Sequence, residues 1–294
     1  MEKEWKVKPQ PEESEIRVHP ELPAIVTQLL AERDIHTNEQ IDNFLNPDYS
    51  DLHDPYLIKD MRKVIDRIMQ AIMGNQKILI YGDYDADGVT GTTIIYQTIS
   101  KLMSIFAQKS DVPILKAVDL DDDKPSNLLY YIPDRSKEGY GLNDDSVHYI
   151  LNQEVNLVIT VDCGVSNHSQ VEFMQKSGID VIIVDHHSVP DTLPEAFGLI
   201  VPKRKDDPYP FKELCGAGLS FKVASALLID VKFSGLSHRI PSGFEKWLLD
   251  FAAIGTIADM VPLFGENRII VRYGLYVMAK TKNVGLRTLM KEIG

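Results

Sequence analysis

Lys77-Ile78-Leu79-Ile80-Tyr81-Gly82-Asp83-Tyr84-Asp85-Ala86-Asp87-Gly88 is a strand followed by an acidic turn, and the chain downstream repeats that unit. Lys77 to Tyr81 is a short apolar run without polar alternation, the pattern of a strand buried on both faces. Gly82 to Gly88 reads as a polar turn holding three aspartates, and Val89 to Phe106 as the helix after it.

The rhythm then returns. Leu157-Val158-Ile159-Thr160-Val161 is a second buried strand, and Ser166 to Ser177 a helix closed by Gly178. Val181-Ile182-Ile183-Val184 is a third strand, and Gly198-Leu199-Ile200-Val201 a candidate fourth. Helices follow over 216–230 and 244–258, and Gly216 and Gly218 let the first begin close to neighbouring backbone. Strands alternating with helices imply right-handed βαβ units. The expected fold is therefore α/β: a mostly parallel sheet flanked by helices, preceded by an N-terminal helical arm.

Upstream, residues 1–20 are polar and proline-containing and read as an extended arm. Thr37-Asn38-Glu39-Gln40 fits a capping box, and Asn46-Pro47 closes that short helix. Met61, Val64, Ile65, Ile68, Met69 and Ile72 follow helical spacing up to Gly74-Asn75. The expected division is an arm with short helices over 1–60 and a catalytic domain over 61–294. Residues 107–127 are polar and acidic and read as an insertion or flexible loop.

The 294 residues are 44% hydrophobic and 25% charged, which is ample apolar material for a core. No run of apolar residues is long enough for a membrane span. Met1-Glu2-Lys3-Glu4-Trp5-Lys6 lacks the apolar stretch of a signal peptide. Cys163 and Cys215, the only cysteines, suggest no disulfide framework, so a reducing cytoplasm is expected. The net charge of −12 argues against a nucleic-acid binder, which ordinarily carries a basic footprint. Asp119, Asp121, Asp122 and Asp123 concentrate that charge locally, however, and a metal centre consumes carboxylates. Net charge does not decide the partner.

Each of the first three apolar runs ends in acidic or histidine residues: Asp83, Asp85 and Asp87 after the first, Asp162 after the second, Asp185-His186-His187 after the third. Parallel sheets bind ligands beyond the carboxyl ends of their strands, so these clusters converge. Asp259, at the end of the 244–258 helix, is a fourth candidate. So many carboxylates in one place raise one another's pKa values and destabilise the fold unless cations offset them. Oxygen ligands with imidazole suit manganese or magnesium. Two such ions about 3.5–4 Å apart can activate water and stabilise in-line displacement at phosphorus.

Taken singly, each signal has a plainer reading. Asp83 to Gly88 could be a solvated turn. A calcium loop would need glutamate at its twelfth position, and that position is Ile94. Asp162 could be a helix N-cap, His186-His187 a satisfied pair at a strand end, and Asp259 an ordinary carboxylate before a proline-containing loop. Cys163 reads as a small buried filler rather than a nucleophile, and His168 as a surface histidine. Lys203-Arg204-Lys205, Arg135 and Lys137 could contact phosphates or be a solvated face. Tyr130, Tyr131 and Tyr140 could stack bases or pack in the core.

Asp185-His186-His187, together with Tyr81 to Gly88, resembles the DHH phosphoesterase superfamily. Tyr131-Ile132-Pro133-Asp134-Arg135, Glu138-Gly139-Tyr140-Gly141-Leu142, Leu214-Cys215-Gly216-Ala217-Gly218 and Ile254 to Leu263 resemble its RecJ-type exonucleases. Phe44-Leu45-Asn46-Pro47 fits as well. The resemblance implies two manganese ions, with magnesium able to substitute. It implies Asp85, Asp87, Asp162, His186 and Asp259 as ligands, with Asp162 bridging. His187 resembles a phosphate-contacting position, with Arg135 and Arg204 as further candidates, and Asp185 supports the site without ligating. Many superfamily members have a histidine ligand where this chain has Tyr81, and Asp83 could replace it.

The implied activity is single-stranded-DNA-specific 5′-to-3′ exonuclease action in DNA repair and recombination. Single-strand-binding protein or a helicase are candidate partners. The family's second catalytic-cleft domain and OB-fold are expected to be absent from these 294 residues. Two alternatives stand beside this: a phosphoesterase acting on pyrophosphate, short oligonucleotides or cyclic dinucleotides, and an inactive scaffold.

Overall fold

The computed structural model describes residues 21–107, 125–233 and 235–294. The arm at 1–20 and the acidic cluster at Asp119 and Asp121 to Asp123 lie outside the described residues, as does most of the expected insertion. The chain groups into two compact units, Met1–Asp51 and Leu52–Gly294.

In the first unit, α1 spans Ala24–Ala31 and α2 spans Asn38–Leu45. The capping box is formed: Thr37 Oγ1 accepts from Gln40 N at 3.1 Å, and Gln40 Oε1 accepts from Thr37 N at 3.0 Å. Both would otherwise be orphan donors at a helix start.

The second unit begins with α3 (Met61–Met73), whose six stripe residues are all buried. Then come β1 (Ile78–Gly82), α4 (Ala86–Ala107), β2 (Leu128–Tyr131), α5 (Asp144–Asn152), β3 (Leu157–Val161), α6 (His168–Lys176), β4 (Asp180–Val184) and β5 (Gly198–Ile200). The remaining helices are α7 (Gly216–Phe233), α8 (Phe244–Trp247), α9 (Leu249–Ala258), α10 (Gly265–Met278) and α11 (Val284–Ile293). The five strands lie in the order β2-β1-β3-β4-β5, and every neighbouring pair is parallel.

α5, α10 and α11 have no counterpart in the sequence expectation, and three further features depart from it. β2 is an edge strand with only Leu128 buried. α4 starts at Ala86, inside the acidic turn, because Asp85 Oδ1 accepts from the amides of Asp87 and Gly88, both at 2.9 Å. The expected helix over 244–258 is two helices. They part at Leu248, whose N–H reaches Glu245 O in a tight i→i+3 bond.

Side chains alternate across the sheet. Leu79, Tyr81, Val158, Val181, Ile183 and Leu199 pack against Val147 and Ile150 of α5 and Val171 and Met174 of α6. The opposite face meets α3, α4 and α7, with α9 and α10 stacked outside them. Each fully buried Ile, Val or Leu contributes about 1.5–3 kcal/mol, and both faces are filled this way.

The chain reverses its winding between β1 and β3, and ligands of open parallel sheets bind at that switch point. Register sharpens it. Gly82 pairs with Val161, and Val161 with Val184, so the three strands end level. Asp83 N then donates to Val161 O, Asp162 N to Val184 O, and Asp185 N to Ile200 O. The acidic residues are thus delivered side by side.

Candidate metal centre

Asp83, Asp87, Asp162, Asp185 and His186 are all buried. Ligand atoms of Asp83, Asp85 and Asp162 lie within 4.8 Å of one another, as do those of Asp87, His186 and Asp259. Asp162 joins the two groups: its Oδ1 is 3.1 Å from His186 Nε2, which is itself 3.8 Å from Asp87 Oδ2 and 3.6 Å from Asp259 Oδ2. Every residue expected as a ligand is in one of these clusters.

The clusters carry a specific shortage. Asp83 Oδ1, Asp162 Oδ1 and both ring nitrogens of His186 are buried without hydrogen-bond partners. Native proteins rarely leave such atoms unsatisfied, and a ligand that accepts lone pairs from carboxylate and imidazole alike is a cation. The residues therefore fit divalent metal. The electrostatics agree. Burial, followed by the charges of Asp87 and Asp85, pushes the Asp162 carboxyl up to about 10. Burial also raises Asp83 and Asp259, and lowers His186 below the usual imidazole range. The site keeps its imidazole neutral and so ready to ligate, and it resists carrying its carboxylate charges unaided.

Asp87 is held from across the molecule. Gly216 N and Ala217 N, at the start of α7, donate to its Oδ2 and Oδ1 at 2.6 and 2.8 Å. Only glycine permits this approach: a Cβ at Gly216 would lie 2.7 Å from Asp162 Cβ and 2.9 Å from Asp87 Oδ2. The expectation that Gly216 brings a helix start against other backbone is met, and what it cradles is a carboxylate.

Asp185 belongs to neither cluster and orients its neighbour. It accepts from Val165 N, His187 N and His187 Nδ1 at 3.0, 3.0 and 2.8 Å. Burial opposes its charge, but the bonds from His187 and Val165 outweigh burial and hold it below the usual range. The same hydrogen bond raises half-exposed His187 to about 9. Tyr140 Oη donates to Asp162 O at 3.1 Å and lies 3.1 Å from His187 Nδ1. It is exposed rather than packed in the core, and its hydroxyl spans two site residues.

Tyr81 is in neither cluster. Its hydroxyl donates to Gly141 O at 2.9 Å, and its ring stacks on Tyr131 with centroids 5.5 Å apart. Asp83, two residues on, lies in the cluster with Asp85 and Asp162.

Among the expected phosphate contacts, Arg135 is exposed with its guanidinium 5.3 Å above the Tyr84 ring, between Asp83 and Asp85 in sequence. Arg204 is held among carboxylates of its own chain: its guanidinium is bound to Asp60 at 2.9 Å and Asp206 at 2.8 Å. Lys137 pairs with Asp134 at 3.2 Å. Cys163 is fully buried, and burial raises its thiol far above the usual value, which fits a filler.

The family model described as DHH family, N-terminal domain, matches residues 77–256. The chain is 40% identical over 270 residues to the single-stranded-DNA-specific exonuclease RecJ of Bacillus subtilis, across 92% of this chain and 30% of that protein. It is 31% identical over 276 residues to the one of Escherichia coli, across 92% of this chain and 43% of that protein. Among solved structures, RecJ from Thermus thermophilus in complex with manganese is similar with a TM-score of 0.72 at 27% identity, over 99% of this chain and 37% of that one. An exonuclease RecJ bound to manganese gives a TM-score of 0.64 at 32% identity, over 81% and 52%. The chain thus spans less than half the length of the curated relatives it matches here.

Proposed function

The chain belongs to the DHH family, and from that membership we propose that it is the catalytic part of a metal-dependent exonuclease degrading single-stranded DNA from the 5′ end. The observation that carries this is the pair of clusters joined at Asp162, with buried oxygens and imidazole nitrogens that lack any partner. Asp83, Asp85 and Asp162 would hold one divalent cation, and Asp87, His186 and Asp259, with Asp162, the other. Manganese is favoured and magnesium is the substitute. When bound, such cations acidify water and offset phosphodiester charge.

The protein's own groups do the rest. The α7 amides fix both oxygens of Asp87, so the carboxylate needs no rearrangement to bind. His187, its ring held by Asp185 and half exposed beside the clusters, would present an imidazole N–H to a substrate phosphate. Arg135, aligned over Tyr84, offers a second cation. We place this catalytic domain at 61–294 and its action in cytoplasmic DNA repair and recombination, beside single-strand-binding protein or a helicase. No helix among the described residues is long and apolar enough to cross a membrane.

The test is incubation of the protein with 5′-labelled single-stranded DNA and manganese. Release of mononucleotides, abolished in Asp162→Ala, is expected. No release, with Asp162→Ala indistinguishable from the unsubstituted chain, overturns the proposal. Preference for dinucleotides or cyclic dinucleotides over longer strands would favour the small-substrate alternative.

A further inference from the structure

Asn267, in the first turn of α10, belongs to neither metal cluster, yet it ties together the two segments that position Asp87 and Asp259. It is fully buried, and its Nδ2 donates to Glu213 O at 2.6 Å and to Pro262 O at 3.1 Å. Glu213 lies just upstream of Gly216 and Ala217, whose amides hold Asp87. Pro262 lies just downstream of Asp259, which caps α9. We propose that Asn267 is a positioning residue that sets the placement of Asp259 relative to Asp87 and thereby the affinity of the Asp87, His186 and Asp259 cluster for a divalent cation. This rests on the metal-centre reading given above.

The chemistry of the residue supports the assignment. Its Oδ1 has no hydrogen-bond partner, so the donor end alone anchors the side chain. Two carbonyl acceptors fix the amide's orientation, because a reversed amide would aim its oxygen at both of them. The anchor itself is rigid. Neighbouring Glu266 accepts from His53 N at 2.9 Å and Tyr209 Oη at 2.6 Å, and forms a buried ion pair with Lys222 of α7. α10 also lies directly on α9: a Cβ at Gly274 would fall 2.4 Å from both Leu249 O and Ala253 Cβ. The packing at Gly274 fixes α10 against the first half of α9, and the two bonds of Asn267 carry that anchor to Pro262, three residues past Asp259, and to Glu213, three residues before Gly216.

Asn267→Asp keeps the size of the side chain but sets a carboxylate against two carbonyl oxygens. The experiment is calorimetric titration of the metal-free protein with manganese chloride, with circular dichroism to verify folding. Asp83→Asn assigns the step belonging to the other cluster. In Asn267→Asp, the step that Asp83→Asn spares weakens by about 10–100-fold, the usual effect of removing a group that orients metal ligands, while the other step is unchanged. Ile270→Val, in the same helix but outside the clamp, lowers the melting temperature by about 2–4 °C without altering either step. If Asn267→Asp does not fold, Asn267→Ser, which retains one donor, takes its place with the same expected selectivity. Unchanged binding in the folded variant, or equal weakening of both steps, overturns the assignment. If the unsubstituted chain binds no manganese, the metal-centre reading itself falls and takes this inference with it.

Discussion

Asp162→Asn is expected to stabilise the metal-free protein and at the same time to abolish its response to manganese. Asp162 is 2% exposed, its Oδ1 has no partner, and burial with the charges of Asp87 and Asp85 pushes its carboxyl from the usual 3.8 up to about 10. A group whose pKa rises on folding contributes stability that is complete below its unfolded value and is lost as pH climbs towards the folded one. At pH 7, about three pH units into that window, the loss at about 1.4 kcal/mol per unit comes to roughly 4 kcal/mol. Water entry and local relaxation reduce this to about 2 kcal/mol. Asparagine removes the charge at constant shape. It also tolerates the left-handed backbone at this position, where φ is +62°. Its amide can give His186 Nε2, 3.1 Å away, the partner it lacks.

The assay is thermal melting in chelator and in manganese from pH 4 to pH 9. In chelator at pH 7–8, Asp162→Asn should melt about 4–8 °C above the unsubstituted chain, and the gap should close towards pH 4. With manganese at a hundred times its dissociation constant, the unsubstituted chain gains about 2.7 kcal/mol for each cation bound and the variant gains nothing. A variant that melts lower in chelator at pH 8, or that gains as much from manganese as the parent, refutes the claim that these carboxylates are held in conflict until cations arrive.

Gly216→Ala should cost about 1–3 kcal/mol by overpacking and weaken manganese binding as well, read by melting and calorimetry, since the new methyl enters the space between Asp162 and Asp87. In metal-free protein the His187 imidazole should titrate near 9 by NMR and return towards the usual range in Asp185→Asn; the stability this pair provides is complete below about 6.5 and is lost as pH rises through about 9. Tyr81→Phe should lose about 1–2 kcal/mol with the hydrogen bond to Gly141 O and leave the manganese stoichiometry unchanged, because the phenol is not a ligand.

What could be read in the sequence follows from how local each signal is. β1, β3 and β4 stand out because a strand buried on both faces must be apolar throughout, and their level endings deliver Asp83, Asp162 and Asp185 to one edge. β2 escaped because an edge strand whose tyrosines are partly exposed carries no such run. The start of α4 was misplaced because Asp-Ala-Asp-Gly has the composition of a turn, and only the bonds from Asp85 Oδ1 to two amides show that it is a cap. The candidate ligands were legible as residue types at the ends of strands and, for Asp259, of a helix. The Gly216 and Ala217 amides on Asp87, and the Asn267 clamp, were not, since those contacts join segments far apart in sequence and leave no local pattern.

Tyr81 and Asp83 have opposite environments at the end of β1: one is spent on packing, the other carries an unsatisfied oxygen. Tyr81 lies in β1 and Asp83 just past its end, two residues apart. The pocket below Tyr81 is filled by the stacked Tyr131 ring and closed by the hydrogen bond to Gly141, so an imidazole there would forfeit that packing as well as the bond. Asp83 sits at the level where β3 delivers Asp162, with a buried oxygen that nothing in the protein satisfies. A buried carboxylate in that condition is a liability to folding and an asset to cation binding for the same reason: its interaction free energy is withheld from the protein and available to the metal. Tyr81 thus serves the core under the sheet as half of a tyrosine pair, while Asp83 keeps an oxygen that a cation could take.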